Sequence, residues 1–275
     1  MMHSFSQLMD GQSLAEALSA VENRIRAEPA NADHRAALVQ LLCLNGQWLR
    51  ARAQMKSWLA LKPQAQPTIT LLDQCIAAEI TRAAVFAGEA APRLPGEGAE
   101  WVSDLHQALV AERQGDSARA ATLRAAALDS APLSPAQLFL QDDEQGQAVE
   151  WLTDGDGRLG PVCEMAVNGQ YYWLPFALIS EMQFQPPASV TDLVWRHTLV
   201  QLVDGSEQVC QIPLRYPFDE QASDAVRLAK VTEWHSDDEL TFTGSGQKAW
   251  LDAEQQYPLL NLTRLVFDAA ESGDE

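Results

Sequence analysis

The chain has 275 residues, of which 47% are hydrophobic and 21% are charged, a composition typical of a globular protein, and its length leaves room for two domains. Acidic residues outnumber basic ones by 38 to 19, so the formal charge is -19. Because this charge repels phosphate backbones and anionic lipid headgroups, it argues against nucleic acid and membrane surfaces as partners.

The sequence shows no recognisable signal for export. The first twelve residues lack the basic and apolar regions of a secretion signal. No later stretch approaches the length of uncharged apolar sequence that a membrane-spanning helix needs. We therefore expect a cytoplasmic protein.

Amphipathic helices are predicted in the first half, where apolar residues recur at helical spacing, as at Leu14, Leu18, Val21 and Ile25. Pro29 and Pro63 are separated by 34 residues, the period of the tetratricopeptide (TPR) repeat. That period places Gly46 in a turn between two helices. We expect about three helical hairpins in a TPR-like α-α superhelix, with a plain helical bundle as the alternative.

Stacked hairpins leave a concave face that usually binds a peptide or a helix, so the first half favours binding over catalysis. The repeat alignment places six residues on that face: Ala36, Gln40, Cys43, Val102, Leu105 and Leu109. These are the candidate partner-binding residues. The spacing of Leu105 and Leu109 fits the core of a hairpin equally well.

The second half is predicted to be mostly β. Asn168-Gly169 and Asp204-Gly205 each lie between apolar stretches and indicate hairpins with type I′ turns. Further strands are expected at residues 149–153 and 240–243.

The halves also differ in charge: residues 1–133 contain 12 basic and 14 acidic residues, whereas residues 134–275 contain 7 and 24. We predict an α+β protein of two domains, with a helical domain over residues 1–133 and a linker over 134–147. A small, mostly β, barrel-like or sandwich-like domain with a few helices is expected over residues 148–275.

Short motifs in the second half do not fit cofactor or metal sites. Residues 155–160 match GxGxxG, but Pro161 follows them and Asp154 and Asp156 would repel a pyrophosphate. Arg158 and Leu159 occupy positions that a calcium loop reserves for an oxygen ligand and a glycine.

No catalytic constellation is visible in the sequence. The four cysteines are far apart, as expected of reduced core thiols, and the five histidines show no metal-ligand spacing. We predict no metal, no cofactor, no catalytic residues and no enzymatic activity. A hydrolase with an acid pair in the second half is the alternative, because distant residues can meet in space.

Several long stretches of mixed composition are more specific than these short motifs. They are residues 150–164 (EWLTDGDGRLGPVCE), 168–176 (NGQYYWLPF), 187–196 (PASVTDLVWR), 213–216 (PLRY), 227–234 (RLAKVTEW), 244–247 (GSGQ), 44–48 (LNGQW) and 82–88 (RAAVFAG). The chain thereby resembles the ImpE/SciE family, also called TagJ, of accessory proteins in bacterial type VI secretion systems. Residues 228–234 depart from the family pattern through conservative substitutions.

The resemblance implies a non-catalytic cytoplasmic protein that binds a helix of the small contractile-sheath subunit and influences how the disassembly ATPase handles the sheath. A general TPR-type scaffold or assembly chaperone is the alternative. The acidic second half would either steer a basic partner or keep the protein soluble. Eight motif residues have no assigned role: Trp151, Asp156, Arg158, Gly160, Tyr172, Trp173, Trp195 and Trp234. Exposed tryptophans would indicate a second partner surface, and buried ones would belong to the core.

Overall fold

The computed structural model describes residues 12–96, 100–236 and 241–268. Six α-helices lie in the first half of this described part: α1 (Leu14–Ala27), α2 (Ala32–Leu44), α3 (Trp48–Leu61), α4 (Gln66–Phe86), α5 (Glu100–Arg113) and α6 (Ser117–Ser130). A seventh and much shorter helix, α7 (Asp224–Arg227), lies in the second half. None of the helices in these ranges is long and apolar enough to cross a membrane.

Local sequence signals set the helix boundaries. Ser13 and Glu16 form a reciprocal capping box at the start of α1, in which the Ser13 amide donates to the Glu16 carboxylate at 2.9 Å. The turn between α2 and α3 contains Gly46, with φ of +69°, and the turn between α5 and α6 contains Gly115, with φ of +79°. Glycine adopts these left-handed conformations without steric cost, and the turn at Gly46 is the one that the 34-residue period predicts.

The second half consists mainly of antiparallel strands: β1 (Ala136–Leu140), β2 (Asp143–Val149), β3 (Thr153–Asp154), β4 (Val162–Val167), β5 (Gln170–Pro175), β6 (Ile179–Phe184), β7 (Trp195–Leu202), β8 (Glu207–Pro213), β9 (Thr232–His235), β10 (Thr243–Gly246), β11 (Ala249–Leu251), β12 (Gln256–Pro258) and β13 (Leu262–Phe267). The expected α+β class is confirmed. The main sheet has the order β2-β1-β13-β6-β7-β8-β4-β5, beside a three-stranded and a two-stranded sheet. It ends at β2 and β5 without closing, so it is not a barrel.

Both predicted hairpins form, but only one has the expected tight turn. Asn168 and Gly169 connect β4 to β5 with positive φ angles of 49° and 80°. The β7–β8 connection is longer, because residues 203–206 lie outside the strands. There the Ser206 amide donates to Asp204 Oδ1 at 2.8 Å, and only Gly205 has a positive φ. The two-residue turn predicted at Asp204-Gly205 is therefore wrong.

The expected linker and the two further expected strands are placed differently. Residues 134–147 contain β1 and most of β2, and β1 lies between β2 and β13 in the main sheet. Because β2 is an edge strand, it accommodates polar residues that resemble a linker in the sequence. No continuous strand covers 149–153, because β2 ends at Val149 and β3 begins at Thr153. Residue 240 lies outside the described part. The position of the domain boundary stays a prediction.

Hydrophobic cores join the two halves. One core combines α1 to α4 with residues of the second half, namely Val190, Val194, Trp195 and Leu228. Another packs residues of α4 and α5 against the β4–β5 hairpin, including Val102, Leu105, Tyr171 and Trp173. The strands therefore lie directly against the helices that were expected to form an open face.

Candidate functional site

A cleft with a volume of about 860 Å³ lies between the two halves. Its walls come from α1, the α2–α3 turn, α4 and residues 215–227. This volume lies within the range of protein binding sites, and positions between structural units are common for such sites. We call it the inter-half cleft.

Aromatic and aliphatic side chains form its apolar surface. Leu14 and Leu18 of α1 are buried, whereas Trp48 and Phe218 are half-buried and line the cleft. The Trp48 ring packs against Trp195, with 5.6 Å between the ring centroids. Partly exposed aromatic rings on a supported wall are typical of protein contact sites.

Gly46 is required by both its conformation and its contact with this wall. A Cβ atom there would lie 3.3 Å from Cζ of Phe218, and the residue has φ of +69°. A larger residue would therefore strain the α2–α3 turn and push Phe218.

Two arginines hold the wall formed by residues 215–222. Arg215 Nη1 donates to the carbonyl of Leu44 at 2.6 Å, and Arg227 donates to the carbonyls of Glu220 and Ala222 at 2.6 and 2.9 Å. The Phe218 ring centroid lies 4.9 Å from the Arg215 guanidinium carbon and 5.5 Å from that of Arg227. Burial lowers the pKa of Arg215 to about 10. The segment is thus fixed to the helices although it is irregular.

A buried charge network lies below the cleft. Arg82 of α4 donates to both carboxylate oxygens of Glu164 in β4, at 2.6 and 3.1 Å. The Lys248 ammonium lies 2.6 Å from Glu164 and 2.7 Å from Asp154. Tyr171 donates to Glu164 at 2.5 Å. This network links a helix to three parts of the β half.

The two carboxylates of this network titrate differently. Burial raises the pKa of Asp154 to about 6, because Lys248 compensates only part of the burial and Glu164 adds a like charge. Burial acts in the same direction on Glu164, but Arg82 and Lys248 together hold its pKa below the usual range. Asp154 is therefore the member of the pair that takes up a proton near pH 6.

The predicted motif residues Asp156, Arg158 and Gly160 stabilise the 154–160 loop. Asp156 Oδ1 accepts from the backbone amide and Nε of Arg158 at 3.0 and 2.8 Å, and Oδ2 accepts from the Gly244 amide at 3.1 Å. The Arg158 guanidinium lies over Phe86, at 4.6 Å from the ring centroid. A Cβ atom on Gly160 would lie 2.5 Å from Leu128. The contacts of these residues hold the loop against the helices.

The motif aromatics are buried or half-buried. Trp173 and Trp195 are buried, and their indole nitrogens donate to Tyr171 Oη at 2.6 Å and to Glu79 at 3.0 Å. Trp151, Tyr172 and Trp234 are half-buried. Trp173 and Trp195 therefore belong to the core, which is the second of the two expected alternatives.

The six candidate partner-binding residues lie in the interior. Ala36, Gln40, Cys43, Val102 and Leu105 are fully buried, and Leu109 is 2% exposed. The first three lie among α1 to α4, and the other three pack toward the β4–β5 hairpin. A partner would reach these side chains only if the helices separated from their neighbours. Their contact with a partner stays a prediction.

The thiols and acids provide no visible reactive site. All four cysteines are free and buried, and burial raises the pKa values of Cys43 and Cys210 to about 12. Within the described ranges, no group of three or more His, Cys, Asp or Glu residues is placed to hold a metal ion.

The periodicity of the sequence did not identify the residues that line the cleft, because they come from segments that are far apart in the chain. A signal was nevertheless present, since Trp48 lies in the LNGQW stretch, and Arg215 and Arg227 lie in the PLRY and RLAKVTEW stretches. Motifs from both halves of the sequence therefore meet at one place.

Comparison with known proteins gives consistent results. A sequence family described as "ImpE protein" matches residues 146–266. The chain is 35% identical over 268 residues to the "type VI secretion system accessory component TagJ" of Pseudomonas aeruginosa, covering 97% of this chain and 92% of that protein. Its fold is similar to the crystal structure of a Vibrio parahaemolyticus protein, with a TM-score of 0.83, 25% identity, and coverage of 95% and 96% of the two chains.

Proposed function

The chain belongs to the ImpE family, and on that premise we propose that it is a type VI secretion adaptor that binds a helix of the small contractile-sheath subunit. The accessory role is supported by the relationship to TagJ. The partner is the one that the family resemblance predicts. By holding this subunit, the protein would alter how the sheath is presented to the disassembly ATPase.

The inter-half cleft is the observation that carries this proposal. Trp48 and Phe218 line it and remain half-exposed, whereas Leu14 and Leu18 line it with only 1% and 8% of their surface exposed. An amphipathic helix presents apolar side chains three and four residues apart, and a groove of this kind binds them. Tryptophan is also one of the residues that most often dominate binding energy at interfaces.

Binding in the cleft requires little rearrangement of the protein. The half-exposed rings of Trp48 and Phe218 are already held by Trp195 and by two arginines. A wall that is fixed before binding loses less conformational entropy when the partner arrives. The buried concave residues, such as Val102 and Leu105, would instead need a core to open.

The buried acid pair supports binding rather than catalysis. Asp154 and Glu164 are 2% and 1% exposed, and both contact Lys248. Glu164 also accepts hydrogen bonds from Arg82 and Tyr171. These bonds use the carboxylate oxygens of Asp154 and Glu164 inside the protein. We therefore assign both carboxylates a structural role in the proposed adaptor.

Affinity for the purified small sheath subunit, measured by calorimetry with the full-length protein, tests the proposal. We expect Trp48→Ala and Phe218→Ala each to weaken binding at least about tenfold, as for buried aromatic anchors. Phe242→Ala is the matched control, because Phe242 is 51% exposed and does not line the cleft.

Two outcomes would contradict the adaptor. One is no binding of the wild-type protein to the subunit at micromolar concentrations. The other is unchanged affinity in both cleft variants. Equal affinity for several unrelated amphipathic helices would instead favour the general scaffold.

A further inference from the structure

We propose that the partner helix of the inter-half cleft is basic at its flanks, with lysine or arginine side chains that pair with Asp219 and Glu220 at the mouth of the cleft. This inference rests on the proposed function and adds the charge of the partner to it. Both carboxylates are exposed and belong to residues that line the cleft.

The basic residues of the cleft are already engaged within the protein. Arg50 pairs with Glu22 at 2.8 Å, and Arg82 is bound by Glu164. Arg215 and Arg227 donate to backbone carbonyls, including those of Leu44 and Ala222. An acidic partner would therefore have to displace internal bonds to reach a guanidinium group.

The acidic residues of the cleft divide into engaged and available groups. Asp224 accepts a hydrogen bond from the backbone amide of Leu14 at 2.8 Å, and Glu79 accepts from Trp195 at 3.0 Å. Across the described part of the chain, no lysine, arginine or histidine nitrogen lies within 4.0 Å of the carboxylate of Asp219 or Glu220. Asp219 Oδ1 accepts from the Gln221 amide of its own segment, and both exposed carboxylates are left without a cation among the described residues.

Asp219 and Glu220 belong to the wall formed by residues 215–222, and this wall sets the position of their carboxylates. Arg227 donates to the carbonyls of Glu220 and Ala222, and the Gln221 amide donates to Asp219 Oδ1 at 2.7 Å. The backbone of the wall is thereby fixed before the partner arrives. An apolar cleft with fixed acids at its mouth is complementary to an amphipathic helix whose apolar face is flanked by basic residues.

The rest of the second half reinforces this attraction. Residues 134–275 contain 24 acidic and 7 basic residues, so the net charge of this half attracts a basic segment. Fields of this kind mainly accelerate association, and salt screens them over about 8 Å at physiological ionic strength. The acidity then acts on the rate of capture, whereas the apolar walls hold the bound helix.

Association kinetics of the full-length protein with the purified small sheath subunit, across a series of salt concentrations, test the inference. The mouth variant is Asp219→Asn with Glu220→Gln. The matched control is Asp142→Asn with Glu207→Gln. Both residues are exposed and lie outside the cleft, and the double substitution removes the same two negative charges as the mouth variant. At low salt we expect the mouth variant to associate about three- to tenfold more slowly, with a flatter salt dependence, and the control to follow the wild type within about twofold.

The outcomes separate this inference from the proposed function. Two results would overturn the proposal that the partner helix is basic and leave the proposed adaptor function standing. One is an association rate of the wild type that does not change with salt, and the other is equal slowing in both double variants. Faster association after Glu220→Lys overturns it in favour of an acidic partner. A wild-type protein that does not bind the subunit overturns both proposals.

Discussion

Glu164 in β4 accepts two hydrogen bonds from the guanidinium of Arg82 in α4, at 2.6 and 3.1 Å, although the residues are 82 positions apart. Both side chains are buried, and Lys248 contacts the same carboxylate. This pair joins the helical half to the main sheet below the inter-half cleft. Arg82 also lines the cleft, so the geometry of the cleft depends on a buried ion pair that reaches from its wall into the main sheet.

Loss of the central carboxylate should be strongly destabilising. In Glu164→Gln, Arg82 and Lys248 keep their charges but lose a shared anion, and we expect the free energy of unfolding in urea to fall by about 3–5 kcal/mol. Glu181→Gln is the control, because Glu181 also binds an arginine, Arg264, through two bonds but at the surface. Its expected loss is at most about 1 kcal/mol. Similar losses in the two variants would show that burial gives the network no special importance.

Asp154 should make stability depend on pH in a definite direction. Its pKa of about 6 lies above the ordinary value of 3.8, so the folded state holds the proton more tightly than the unfolded state. This stabilisation is complete below about pH 4 and is lost as the pH rises through about 6. Relative to wild type, Asp154→Asn should therefore gain about 1–3 kcal/mol between pH 4 and pH 7.

Urea unfolding at several pH values measures this difference. Carboxylates far from Asp154 are present in both proteins, so their own pH dependence largely cancels in the comparison. The pKa of Glu164 lies below its usual range, so Glu164 keeps its charge throughout this window. A stability difference between wild type and Asp154→Asn that stays constant from pH 4 to pH 7 would contradict the raised pKa.

Gly46→Ala should affect both stability and binding. The positive φ angle alone should cost about 1–2 kcal/mol, and the new methyl group contacts Phe218 in the cleft wall. Gly115→Ala is matched in conformation, with φ of +79°, but has open space around the position. Thermal unfolding should show a similar φ penalty in both variants, whereas only Gly46→Ala should weaken binding of the sheath subunit. Equal affinity of the two variants for the sheath subunit would show that Phe218 does not take part in binding.

A fragment of residues 1–133 should fold poorly without the second half. It would expose the faces of Val102 and Leu105 that pack toward Tyr171 and Trp173, and it would leave Arg82 without Glu164. We expect strong binding of a hydrophobic dye and a broad unfolding transition. A cooperative transition with little dye binding would support the domain boundary predicted from the sequence.

Local features of the structure were predictable because neighbouring residues determine them. Gly46 occupies the turn that the 34-residue period assigned to it, and Asn168-Gly169 forms the tight turn of a hairpin. Both depend on the ability of a residue to adopt positive φ. Residues 134–147, which were expected to be a linker, contain β1 and most of β2, because the polar composition of an edge strand is similar to that of a linker.

The sequence by itself determined the helical and β halves, the α+β class and the family, since periodicity and long motifs carry that information. Only the tertiary structure decided which residues are accessible. It brings Trp48 and Phe218 to one cleft and buries Leu105 and Leu109, whose helical spacing is the same for a core and for a binding face. The physical reason is that burial depends on what packs against a helix, and here the covering residues come from a distant part of the chain.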